Sequence, residues 1–341
     1  MSEIEAIELG EDEYKYWDEL VEKSVHGTVF HRSSWLTACS ALLGKRLKIF
    51  GCLERGKLVG GCSLFIYPVK PLLKLASSAC AMTPYGGMVL SECNGRTVRQ
   101  QEEKRRQVVS SICRLISTQG FQAVNLVNSP DFIDVRPFTW NGWQSRVRYT
   151  YFLHLSDELI VPPKVMWRIN RAIKDGFVVR RSDDIEGYCR LFRMTYLRQG
   201  LEPPVSEVFL MQLFHLAKSE LCGGMWVAET DSGEMASAEI SLWDKRRAYA
   251  WSAASHTELR RSGAPSLLVY ELVKDLRERG FREYDQMCAN TPQLASFISG
   301  FNPQLVPYYA VQKFATGFLS ASQILSRFQF LRRSLSGSRF L

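Results

Sequence analysis

The chain has 341 residues, of which 46% are hydrophobic, 23% charged and 12% aromatic, and its formal net charge is +8. At roughly 150 residues per domain this length suggests two compact domains, and the composition excludes a disordered, collagenous or coiled-coil protein. No apolar run approaches the roughly 18 residues of a membrane-spanning helix, and the amino terminus lacks the basic and apolar regions of a signal peptide. A cytoplasmic protein without a transmembrane segment is expected.

In chain order, residues 47–54 and 57–68 read as two strands of a hairpin joined at Arg55-Gly56, and a third strand follows at 73–82. An amphipathic helix at 101–119 ends before Gly120. A strand at 121–127, a short helix and a closing strand at 147–155 complete the set. The same order then returns. Strands at 225–230 and 234–243 flank Ser232-Gly233, a third lies at 247–255, and a helix at 266–279 ends before Gly280. A strand at 281–287, a short helix and a closing strand at 307–314 follow. Gly120 and Gly280 suit the left-handed position after a helix. The repeat predicts an α/β (α+β) fold of tandem domains, 1–155 and 156–341, each a mixed sheet with an antiparallel meander and helical crossovers. The second domain is expected to end in a basic amphipathic helix at 318–335.

Nine cysteines, an odd number with no C-x-x-C pair, read as reduced core-filling thiols, and the five histidines show no ligand spacing, so no metal is implied. Residues 3–19 hold eight acids against Lys15, whereas 312–341 hold Lys313, Arg327, Arg332, Arg333 and Arg339 with no acid. That local excess fits an anionic partner such as tRNA, a nucleotide sugar, coenzyme A or an acidic lipid surface, or a solvated tail.

The element order resembles the GNAT acyltransferases. Three segments resemble the FemAB-like aminoacyltransferases and their exosortase-associated and BioF-like relatives: Phe30-His31 through Trp35-Leu36, Pro84-Tyr85-Gly86-Gly87, and the stretch from Trp167 to Gly176. Tyr284-Asp285 and Asn290-Thr291-Pro292 through Phe297 keep the family order, whereas Ile298 stands where that family often carries lysine. The resemblance implies acyl or aminoacyl transfer to an amino group, by analogy of a cell-envelope or polysaccharide precursor. Acyl-CoA or aminoacyl-tRNA would be the donor substrate, with no tightly bound cofactor. The alternative is a catalytically silent module that holds an anionic ligand or a partner protein. DNA binding is not expected, because no reader motif is present.

Candidate residues follow from this frame. On the helix at 164–176, Val165, Ile169 and Ile173 fall at i, i+4 and i+8 as a core stripe. Lys164, Arg168 and Arg171, with Lys174 at the end, form a cationic face for an anionic substrate group, or a solvated face. Tyr85 beside its glycine pair offers a ring and a hydroxyl to a ligand, or closes a tight turn. Together these residues would line a cleft shared by the two domains. Arg260 and Gly263 precede the second long helix where the GNAT resemblance implies a site for the acyl donor's pyrophosphate; an ordinary capped loop is the alternative. For proton transfer, Glu239, Tyr249 and Asp285 are expected to face one cleft, with Asp285 preferred as base and Asn290 orienting the acyl carbonyl. Peripheral membrane contact through the C-terminal helix is a weaker expectation.

Overall fold

The computed structural model describes residues 4–70, 73–92, 97–156 and 159–315. Cys93 and the helix expected at 318–335 lie outside these. The first elements are β1 (Ile4–Glu8), α1 (Tyr14–Lys23), α2 (Ser33–Leu43), β2 (Arg46–Glu54), β3 (Lys57–Lys70), β4 (Leu73–Ser77) and β5 (Val89–Leu90). There follow α3 (Val98–Thr118), β6 (Ala123–Val127), α4 (Arg136–Trp140), β7 (Gln144–His154), α5 (Pro163–Lys174), β8 (Val178–Ser182), α6 (Ile185–Leu197) and α7 (Glu207–Ser219). The last are β9 (Gly223–Glu229), β10 (Met235–Trp243), β11 (Ala248–Ser255), α8 (Ala264–Glu278), β12 (Glu283–Asp285), α9 (Pro292–Ile298) and β13 (Gln304–Phe314). Among the described residues, no helix is long and apolar enough to cross a membrane.

The described chain forms two compact units, 4–148 with 307–315, and 149–306. In the first, β1-β2-β3-β4-β6-β13 lie side by side, with β5 also on β3. Every pair is antiparallel except β4 with β6. The β2–β3 turn places Arg55 and Gly56 at φ 51° and 74°, the left-handed pair that matches the twist of a two-residue hairpin. Its core gathers Phe50, Leu64, Ile112, Ile116, Leu126 and Phe138 under α3.

In the second unit the order is β7-β12-β11-β10-β9-β8, and β11 with β12 is the one parallel pair. Helix α8 packs on β8, β9 and β10, and α5 packs on α8. The long β11 and the meander β9–β10 supply a core of Val227, Ala238, Ile240, Leu242 and Ala254, all buried. The eight described cysteines are reduced and buried.

The units do not follow the expected halves 1–155 and 156–341. Strand β7, expected to close the first sheet, pairs with β12, and β13, expected to close the second, pairs with β6. Alternation of side chains tells a strand which face to bury. It does not tell it which antiparallel edge to join, and both closing strands carry the same pattern.

Candidate active site

Strands β11 and β12 pair at two positions, Ala248 with Tyr284 and Tyr249 with Asp285. Beyond them β11 runs on to Ser255, while the chain after Asp285 turns away through Met287, whose φ of 53° lies in the left-handed region. The two parallel strands therefore fork at their C-terminal ends. Open α/β sheets bind ligands in crevices of this kind.

The register decides what faces the fork. Ser241 pairs with Ala250 and Ile240 with Ser252, so Trp251 is an extra residue on β11. With that bulge, the face of β11 that carries Ala248, Ala250 and Ala253 meets Trp243, Ser241 and Glu239 on β10. Three alanines in a row leave a shallow groove across the middle strand. Tyr284 on β12 lies on the same face and reaches over two strand spacings to β10, where its hydroxyl donates to Glu239 Oε1. The Ser241 hydroxyl lies 2.8 Å from the Tyr284 oxygen. Glu239 is 4% exposed, and burial pushes its carboxyl up to about 7, against the opposing effect of its hydrogen bonds. Burial likewise raises the Tyr284 phenol well above its ordinary range. A carboxyl poised near neutrality beside a ligand crevice is the arrangement a general base requires.

Asp285 occupies the other face. It pairs in register with Tyr249, which pairs with Leu242, so neither faces Glu239. The three residues expected in one cleft are thus divided by the sheet, because Tyr284 and Asp285 alternate along one strand. The Asp285 side chain is fully buried, and its Oδ1 accepts from the Thr150 hydroxyl at 2.5 Å and the Met287 N–H at 2.9 Å. That pattern ties β7 to the turn after β12. On the same face, the Tyr188 hydroxyl of α6 donates to Ser252 at 2.5 Å. The Tyr249 hydroxyl donates to Asp244 at 2.6 Å.

Asn290 does not point an amide at the fork. Its Oδ1 accepts from the Tyr149 N–H at 2.9 Å and its Nδ2 donates to the Tyr149 carbonyl at 2.7 Å, so both ends of the amide hold β7 backbone. Tyr85 is 1% exposed, with its ring edge-on to Phe30 and Tyr308. The glycines after it are required by contact, since a Cβ on Gly86 would meet the Ser78 carbonyl at 2.1 Å and one on Gly87 the Asn128 side chain at 2.3 Å. This segment is a packed turn in the first unit, and its ring is not on the surface.

On α5 the buried side is Ile169 and Ala172, with Val165 half-buried, while Ile173 is 53% exposed. The inward stripe is narrower than the i, i+4, i+8 pattern suggested, with α8 packed along it and Gly300 against Val165. Lys164, Arg168, Arg171 and Lys174 are all exposed; Arg171 pairs with Asp175 at 3.4 Å and stacks on the exposed Trp167.

Gly263 sits at φ 96°, and a Cβ there would lie 2.3 Å from the Arg168 carbonyl of α5. The following turn offers no donor to an anion: the Ala264 N–H donates to Ser262 Oγ, Pro265 has none, and the Ser266 N–H donates to the Gly263 carbonyl. Gly263 is where α5 and α8 meet, which is the ordinary-loop alternative. Arg260 is exposed near the C-terminal end of β11, and its charge adds to burial in lowering the proton affinity of Arg198. Arg198, which donates to the Ser255 carbonyl at 3.0 Å, is missed by sequence reasoning, since α6 shows no motif around it. Tyr284 and Ser241 are missed for the same reason. Only the register brings them to Glu239. Ile298, standing where the FemAB-like family often has lysine, is buried against Cys288 and Leu294.

A model of the GNAT acetyltransferase domain matches residues 167–292, from α5 through the fork to the start of α9. Among solved structures, FemX is similar with a TM-score of 0.69 and 12% identity, covering 95% of this chain and 99% of its own. L-PGS from Bacillus licheniformis gives 0.61 at 12% identity, covering 97% and 98%. A tandem GNAT protein from the clavulanic acid biosynthesis pathway gives 0.53 at 13%, covering 92% and 98%. This chain has a FemX-like tandem GNAT fold. No curated protein sequence matches it. In the GNAT fold seen here, the fork and Glu239 both fall within the 167–292 segment.

Proposed function

We propose that this protein is an acyltransferase that moves an acyl or aminoacyl group from an activated donor to an amine at the β11–β12 fork of its second unit. The carrying observation is Glu239, a buried carboxyl set near 7 that pairs in register with Ala253 on β11 and is held by Tyr284. An amine attacking an ester or thioester carbonyl must lose a proton as the C–N bond forms, and the C–O or C–S bond then breaks to release the donor's hydroxyl or thiol, which takes up that proton. Glu239, ionised above about 7, accepts that proton, directly or through a water. The hydrogen bonds from Tyr284 and Ser241 hold the carboxylate in place.

The donor is an acyl-CoA or an aminoacyl-tRNA, its phosphates met by Arg260 and Arg198 near the end of β11, and the acceptor is an amino group of an anionic cell-envelope precursor, with the cations of α5 in a supporting role. The reaction belongs in the cytoplasm, where both donors are made. Two measurements test this. Thermal shifts with acetyl-CoA and with charged tRNA identify the donor class. Product formation with an amine acceptor should then fall by 10²–10⁴-fold in Glu239→Gln. Undiminished turnover in that variant would remove Glu239 from the chemistry.

A further inference from the structure

The face of the second unit's strands that carries Glu239 holds a second constellation at the β8 edge. Arg181 on β8 pairs directly with Trp226 on β9, and its guanidinium carbon lies 5.2 Å from the centre of that ring. Trp226 is edge-on to Trp243 at 6.4 Å. Over Trp243, at 4.2 Å, lies the guanidinium of Arg279, which also approaches Phe281 at 5.5 Å. Between the two cations the strand carries Gly224, where a Cβ would stand 2.8 Å from Arg181 Nη2 and 3.2 Å from the Trp243 ring. The glycine is what lets Arg181 lie down across β9 toward Arg279.

The two guanidiniums thereby lie on neighbouring indole rings whose planes cross at 70°. Both side chains are exposed, and among the described residues neither is ion-paired with a carboxylate. Burial and then the Arg181 charge lower the proton affinity of Arg279, while Asp275, one turn back on α8, acts in the opposite direction. Below them the Trp226 indole N–H is buried, in a side chain 2% exposed, and has no acceptor among the described residues. Two guanidiniums on neighbouring rings, with Asp275 the one carboxylate acting on Arg279, leave N–H donors that a multivalent oxyanion satisfies. Guanidinium forks match the oxygens of a phosphoryl group bidentately, and the two indole rings hold them ready.

We propose that Arg181 and Arg279, over Trp226 and Trp243, form a binding site for a phosphoryl group, separate from the fork. Its residues lie on β8 to β10, with Trp243 opposite Ala248 at the start of β11 and the fork at that strand's other end, so it does not rest on the acyl-transfer reading. The ligand is a phosphomonoester or pyrophosphate, free in solution or borne on a lipid headgroup.

The test is isothermal titration of the full chain with inorganic pyrophosphate, alongside sedimentation with vesicles containing phosphatidic acid. Saturable binding is expected, weakened roughly tenfold or more in Arg181→Gln and in Arg279→Gln, and little changed in Arg193→Gln, an exposed arginine elsewhere on the unit. Gly224→Ala, which pushes Arg181 aside, should weaken it too. If the glutamine variants unfold, Arg181→Lys and Arg279→Lys keep the stacked charge and lose only the fork, and should still weaken binding. Binding of pyrophosphate alone points to a soluble ligand, and binding of both probes points to a lipid phosphate. Absence of saturable binding to either probe, or binding that ignores all these substitutions, overturns the site.

Discussion

Tyr284 on β12 donates its hydroxyl hydrogen to Glu239 on β10, reaching across β11 over Ala248 and Ala250. A buried carboxyl that is hydrogen-bonded yet still raised to about 7 has two measurable consequences, and both carry a sign. If the ionised form is the base, turnover should rise with pH through about 7 and level off above it. Stability should move the other way. Below the ordinary carboxylate value of 4.5 the group is neutral in the folded and unfolded chain alike. Between there and 7 only the unfolded chain ionises, so the fold loses roughly 3 kcal/mol across that window and no more above it. Glu239→Gln should abolish the slope in urea unfolding measured from pH 4 to 8; an unchanged slope would assign it to another group.

The alanines on β11 make a separate prediction. Ala250 lies opposite Ser241 on the face crossed by Tyr284, so Ala250→Val adds two methyl groups to the groove while keeping a good strand former. Overpacking there should cost about 1–3 kcal/mol and displace the Tyr284 hydroxyl from Glu239. The pH midpoint of turnover should shift with it. A valine variant with wild-type stability and midpoint would show that the groove has spare room.

Asp285→Asn should act on folding. The carboxylate accepts from both Thr150 and the Met287 N–H through Oδ1 in a fully buried setting, and an amide substitutes donors for one oxygen. A loss of about 1–3 kcal/mol in chemical denaturation is expected, with the folded fraction retaining most of its turnover. A large drop in turnover at unchanged stability would restore Asp285 to a chemical role.

Much of the fold was legible because its punctuation is local. Gly56, Gly120, Gly233 and Gly280 all adopt the positive φ that the turn and cap readings require, and the two hairpins and two long helices stand where periodicity puts them. What was not legible depends on pairing. The exchange of β7 and β13, the bulge at Trp251 and the separation of Asp285 from Glu239 are set by register between distant strands, which no local pattern encodes. Glu239 was visible as an acid on an apolar strand, whereas Tyr284 and Ser241 acquire meaning only through it. Asn290 and Tyr85 misled because a polar or aromatic residue beside a turn serves backbone and core as readily as it serves a ligand.

The cations of α5 should be separable from stability. Arg168 and Arg171 are exposed, and the Arg171–Asp175 pair sits in solvent at the helix end, where such pairs contribute little. Arg168→Ala with Arg171→Ala should leave the unfolding midpoint within about 0.5 kcal/mol of wild type. Binding of the anionic acceptor should weaken and lose part of its salt dependence. Wild-type binding in the double variant would leave α5 as a solvated face.

Gly263 offers the sharpest contrast between two roles for one residue. A glycine kept for a phosphate should tolerate alanine in the empty protein and fail only when the donor binds. The structure places it elsewhere: φ is 96°, and an added Cβ would stand 2.3 Å from the Arg168 carbonyl and 3.3 Å from the Ala172 Cβ. Neither the left-handed backbone nor the backbone oxygen can yield cheaply, so Gly263→Ala should cost about 2–4 kcal/mol and loosen α5 from α8. Gly280→Ala is the control. It shares a positive φ, 90°, but has nothing within 4 Å of the added carbon, and should cost only about 1 kcal/mol of backbone strain. Urea denaturation of the two variants, with proteolysis after the α5 arginines as a local probe, decides the matter. Equal, small losses in both, with donor binding abolished only in Gly263→Ala, would return the loop to the donor site.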